Sequence, residues 1–160
     1  MADMVTQHDP GNQRKAAIAS AFVSATAAGS GDATAVTGLT LDRNSIGVSN
    51  TAIFRLAWEA VLAATKTLSV GTVVFQHSDD GSTWAAYTSP YGNPADPGVV
   101  GTGGAGGSTE RGVAVLPIYV GSAKRYLRMN WTPDLSASGT DTAKLVADVS
   151  LAGFDRLPPA

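Results

Sequence analysis

Ala143-Lys144-Leu145-Val146-Ala147-Asp148-Val149-Ser150-Leu151-Ala152-Gly153 alternates along its length. Leu145, Ala147, Val149 and Leu151 point one way, Asp148 and Ser150 the other. A period of two marks a strand buried on one face only. The stretch Lys124–Thr132 repeats the pattern: Arg125, Leu127, Met129 and Trp131 share one face, while Tyr126, Arg128 and Asn130 share the other. Pro133–Thr142 between them reads as a loop. Two such strands, each with one apolar face, argue for an all-β, antiparallel β-sandwich. The core this pattern predicts is Phe54, Leu56, Val73, Phe75, Leu127, Met129, Leu145, Val149 and Leu151.

Outward from these strands the signals stay β as far back as residue 33. Ala35–Leu41 is short and β-branched, and Asp42–Asn50 is a polar loop. Thr51–Trp58 sets Ile53 and Arg55 opposite Phe54 and Leu56, and Leu68–Ser78 is a strand rich in valine. Between them, Ala57–Thr65 fits either a helix or a strand with a bulge. Asp79-Asp80-Gly81-Ser82 supplies the positive φ that a tight turn needs, with Thr83–Tyr87 returning. Residues 88–112 hold three prolines and the run Gly101–Gly107, which predicts a long glycine-rich loop ahead of a strand at Val113–Val120. The domain therefore spans residues 29–160. Residues 1–28 read as an extended N-terminal arm, polar at first and alanine-rich from Ala16.

Leu, Ile, Val and Phe make up only 34 of the 160 residues, which suits a thin sandwich and not a helix bundle. The net charge of -2 gives no broad attraction to nucleic acid or to an anionic membrane. There is no run of 18 apolar residues for a spanning helix, and the start lacks the basic and apolar pattern of a signal peptide. The chain has no cysteine, which removes disulfides, thiolate metal sites and cysteine nucleophiles.

Candidate chemistry is sparse. His8 lies in the arm and His77 beside the Asp79-Asp80 turn, with no Gly-x-Ser-x-Gly elbow and no zinc-ligand spacing. The acidic turn lacks the spaced carboxylates and terminal glutamate of a calcium loop. Gly103–Gly107 is followed by Ser108-Thr109-Glu110-Arg111 without the lysine of a phosphate loop. Lys124, Arg125 and Arg128 are interleaved with Tyr126 and Trp131, but alternation puts the two rings on opposite faces, so they make no stacking platform. The expectation is a protein with no catalytic residue, no metal and no cofactor, and no direct contact with nucleic acid or membrane.

Three segments together resemble a family of small bacteriophage virion proteins that decorate capsids. They are Phe75–Trp84 with its Ser-Asp-Asp-Gly-Ser-Thr-Trp core, Tyr119–Arg128, which is similar to the family's Tyr-x-Gly-x-x-Arg-Tyr-x-Arg strand pair, and the ending from Val149 to Arg156-Leu157-Pro158-Pro159. The resemblance spans about residues 30–160. It implies a jelly-roll-like sandwich that cements the outer surface of the major capsid protein shell in the virion after assembly in the host cytoplasm. The glycine-rich insert at 98–108 departs from that pattern. A virion-surface module recognising glycans or a receptor, or a tail structural protein, is the alternative. On the leading reading the chain contacts the major capsid protein and itself, as a homodimer or homotrimer. Ile18, Phe22 and Val23 of the arm, with Arg156, Leu157 and Pro158 of the tail, are the expected contact residues, because apolar side chains on an arm gain by burial against another chain.

Overall fold

The computed structural model describes residues 14–137 and 139–154. Ten strands form two five-stranded antiparallel sheets packed face to face. In one sheet lie β1 (Lys15–Ile18), β2 (Val23–Thr26), β4 (Ser49–Leu62), β8 (Ser108–Tyr119) and β10 (Thr142–Phe154). In the other lie β3 (Leu41–Asp42), β5 (Thr67–Ser78), β6 (Ala85–Ala86), β7 (Gly98–Thr102) and β9 (Tyr126–Leu135). A single helical turn, α1 (Arg43–Ile46), follows β3, with the Asp42 carboxylate capping it by accepting from the Asn44 N–H at 3.0 Å.

The strand order carries more information than the layers. The first sheet runs β1-β10-β4-β8, with β2 also on β10; the second runs β3-β9-β5-β7, with β6 further along β5. Counting β1 and β2 as one interrupted strand and setting β6 aside leaves eight strands that cross between the sheets in the order of a jelly roll.

The alternation read from the sequence fixes which face is inside. Leu145, Ala147, Val149 and Leu151 of β10 are buried, as are Leu127, Met129 and Trp131 of β9. Phe54 of β4 meets Phe75 of β5 across the two layers, ring centroids 5.3 Å apart. Val73 of the expected core is only partly buried, packing against the core from its margin. The cause is a bulge in β5 between Gly71 and Val74, where Thr72 adopts φ +52°. The carboxylate of Asp96 accepts the Thr72 and Val73 N–H groups at 2.8 and 2.9 Å, which offsets the cost of that left-handed residue. One extra residue there shifts the register, which leaves Val73 at the margin of the core.

Two boundaries differ from the sequence reading. The loop at 88–112 is not continuous: β7 and the first half of β8 lie within it, joined by a turn at 103–107. Its glycines hide a hairpin-like excursion between the sheets. The arm at 1–28 is also shorter than expected, since residues 15–26 belong to the sandwich. β1 pairs with Asp148–Leu151 and β2 with Thr142–Leu145, both on β10. At the interruption between them, Ser20 Oγ accepts the Ala147 N–H at 2.8 Å, and Ala19 N and Ser20 N both donate to the Ala147 carbonyl. Alanine is the reason this segment fits. Ala19, Ala25 and Ala27 are buried, small enough for the margin of a thin core.

Candidate interaction surface

The outer face of the β1-β10-β4-β8 sheet is built by register. Ile18, Asp148, Arg55 and Val115 lie in one row across the four strands; Ala16, Ser150, Ile53 and Pro117 lie in the next. A third row sets Val146 and Ala57 beside Val113. Most of its charge is paired, with Lys144 exposed in the row of Glu59 and Arg111. Arg55 grips Asp148 at 2.6 Å and also donates to Ser150 Oγ, and Arg111 meets Glu59 at 2.6 Å. The apolar side chains between them are left open, with Val113 and Val115 at 55% and 56% exposure and Ile53 also exposed. Single exposed hydrophobes are ordinary, but a connected group rimmed by ion pairs marks an interaction surface.

The expected contact residues fall on this sheet in part. Ile18 projects from β1 onto the outer face, and Phe22, at the interruption after it, is 82% exposed. Both are available to a partner. Val23 is partly buried and packs against the core, so its place is structural. Arg156, Leu157 and Pro158 lie outside the described residues.

Beyond the apolar rows, two recesses follow β8. At one end Tyr91, 82% exposed, stands edge-on to Tyr119 with ring centroids 5.1 Å apart, over Ile53 and Pro117. Along the middle runs a trough of about 690 Å³. One wall is β8 itself, through the seven consecutive residues 110–116; the other is the segment from Pro94 to Thr102. Its floor is Trp58, which reaches from β4 beneath β8. The indole fits there because Gly101 and Gly112 have no side chain: a Cβ on either would fall 2.8 or 2.7 Å from the ring.

The basic cluster and the acidic turn meet at the other sheet's end. Lys124 pairs with Asp79 at 2.5 Å, Arg125 holds Asp42 through two hydrogen bonds, and the Arg128 guanidinium lies 4.0 Å from the Trp84 ring centre. Arg125 beside Asp42 holds that carboxyl below the usual carboxylate range. His77 stacks obliquely on Tyr87, and burial, followed by the nearby Lys124 charge, lowers its pKa. Asp80 organises the turn, accepting from the N–H groups of Ser82 and Thr83 and from Ser78 Oγ. Gly81 has φ +73°, as the turn sequence requires. Among the described residues no three acidic or histidine side chains gather as a metal-holding group, and no helix is long and apolar enough to cross a membrane.

No family model matches this chain, and no curated protein does. The fold is similar to the crystal structure of the PBSX exported protein XepA, with a TM-score of 0.43 and 16% identity. The match covers 91% of this chain and 39% of that one.

Sequence reasoning missed the trough and the two valines. Val113 and Val115 alternate with Ala114 and Leu116, a signal that was legible as a strand. Their exposure follows only from β8 lying at the sheet's edge with its outer face uncovered. The trough joins segments on either side of a glycine-rich turn, and no spacing rule reports that.

Proposed function

We propose that this protein is a virion structural protein of a bacteriophage, a decoration protein that binds the outer surface of the major capsid protein shell and stabilises the head. The observation that carries the reading is the open apolar group of Ile53, Val113 and Val115 on one sheet, flanked by Ile18 and Phe22 at its far edge. Such a face suits a broad, non-catalytic contact. The sequence resemblance supplies the phage context, and the jelly-roll strand order is consistent with it.

A glycan-binding role needs an aromatic ring face open beside polar groups. Trp58 is wedged between two glycine positions, Trp131 is buried, and Trp84 carries Arg128 over its ring. None of the three tryptophans offers that face, and the open ring of Tyr91 stands over Ile53, Pro117 and Ile118 with no charged group in the recess, which favours the decoration reading.

The test is addition of the purified protein to capsid shells that lack it, followed by sedimentation and electron microscopy. Saturable binding at regular positions across the head, with increased resistance of the shell to heat or chelator, is the expected result. Binding confined to the tail, or none at all, defeats the reading.

A further inference from the structure

We propose that the trough beside β8 is an acceptor for an added strand, and that its occupant is the segment 1–9 of a second copy of this chain. The proposal rests on the assembly reading above and names where one copy would take hold of the next.

The acceptor side is a matter of backbone accounting. Among the described strands, β8 is the last of its sheet and pairs only with β4. In an antiparallel ladder, alternate residues direct their N–H and C=O groups to one neighbour and the rest to the other side. No hydrogen bond joins the backbone of residues 110–116 to a described residue outside the β4 ladder. Those seven residues are the ones that line the trough. An unpaired strand edge at the side of a groove is the arrangement that accepts an extended peptide, with the backbone giving affinity and alternate side chains giving specificity. The middle of the edge, Gly112-Val113-Ala114-Val115-Leu116, carries none of the charges or prolines that guard natural edges.

Length and reach select the occupant. The trough spans seven residues, roughly 23 Å at about 3.3 Å each. Ahead of Pro10, Met1-Ala2-Asp3-Met4-Val5-Thr6-Gln7-His8-Asp9 offers nine residues with neither proline nor glycine. This stretch has two aspartates and no lysine or arginine, while the trough carries Glu110 as well as Arg111 and Arg111 is already paired with Glu59, so charge does not choose the occupant. Topology then favours a second copy. β1 lies at the opposite edge of the sheet from β8, three strand spacings or about 14 Å away. Lys15 lies level with Ile118, through Leu151 and Ala52. If residues 1–7 of the same chain paired antiparallel with 110–116, they would end level with Glu110, roughly 26 Å along the strands and about 19 Å across them from Lys15, or about 32 Å in all. Residues 8–14 bridge only about 26 Å. A copy set edge to edge receives the segment directly. The contact is head-to-tail, so it closes into a ring wherever its rotation allows.

The absence of cysteine makes the test clean. Val5→Cys and Val113→Cys are made separately in the full chain, mixed, and treated with a short bis-maleimide. The expected product has the mass of two chains and contains one of each variant, and excess unmodified protein suppresses it. A cross-link only in the doubly substituted single chain would overturn the proposal in favour of self-occupancy. Dimers formed by Val113→Cys alone would overturn it in favour of β8 pairing with β8, and no cross-link would defeat it outright. Met4→Cys repeats the measurement on the other face of the segment. Cross-linking without shell binding would count against the decoration reading alone; shell binding without cross-linking would count against the strand acceptor alone.

Discussion

The indole of Trp58 occupies the volume that a side chain at its cross-strand partner Gly112 would need, since an ideal Cβ there lies 2.7 Å from Cζ2. Gly112→Ala therefore forces the ring to move or β8 to shift. Overpacking of this kind costs about 1–3 kcal/mol. A lower urea midpoint with a changed tryptophan emission maximum is the expected result; an unchanged midpoint would mean that the ring has somewhere else to go.

Gly81 holds φ +73°, while a Cβ there would meet only the Tyr126 ring at 3.6 Å, an ordinary contact. Gly81→Val should then lose roughly 1–2 kcal/mol through the backbone conformation alone. Gly81→Asn, which tolerates that region better, should lose less. Equal thermal midpoints for wild type and the valine variant would contradict this account of the turn.

Asp96 ties the loop before β7 to the bulge of β5 through two backbone donors. Asp96→Ala removes both acceptors and leaves Thr72 in a left-handed conformation without compensation. A loss of about 1–2 kcal/mol follows from the hydrogen bonds, with faster amide exchange at Thr72 and Val73 as the local reading. Fast exchange already present in the wild type would remove the basis for it.

The Asp80 carboxyl is held well below its ordinary value of 3.8, chiefly by the N–H donors of Thr83 and Ser82 and then by the Ser78 hydroxyl. A depressed carboxylate stabilises the fold at every pH above its unfolded value and loses that contribution as pH falls toward its folded value. Asp80→Ala should be less stable than wild type at neutral pH, with the gap closing as the solution is acidified below about pH 4. A gap that stays constant down to acid would assign the effect to packing.

Val115→Lys places a charge in the apolar group while leaving the core untouched. Surface changes of this kind usually alter stability by less than about 0.5 kcal/mol. The expected outcome is an unchanged melting temperature with weakened attachment to shells. Undiminished attachment would move the contact to another face.

How much of this was legible follows from where each residue's partner lies. Leu127, Met129 and Trp131, or Leu145 through Leu151, need only the pleat to declare their side, and alternation shows it. The bulge that leaves Val73 at the core's margin needs Asp96, more than twenty residues away in sequence, to accept its N–H groups, and no local pattern contains that. Ala19 and Ala25 are too small to register as core-forming, yet they fill the space beside β10. Among the contact residues, the exposure of Ile18 and Phe22 agrees with their reading as available apolar groups. Val23 does not, because the register of β2 on β10 turns it inward.

Among the described strands, β1 and β2 pair only with β10. Nearly all of the remaining chain lies between them, so on the ribosome the early alanine-rich strands have nothing to join until the last described strand is made. Closing so long a loop comes before the pairing that rewards it, and folds dominated by such contacts form on the order of milliseconds to seconds. Until then the flank of β10 that these strands cover, and their own exposed Phe22, are open to neighbouring nascent chains. Overproduction should therefore be limited by the concentration of half-made sandwiches more than by the stability of finished ones.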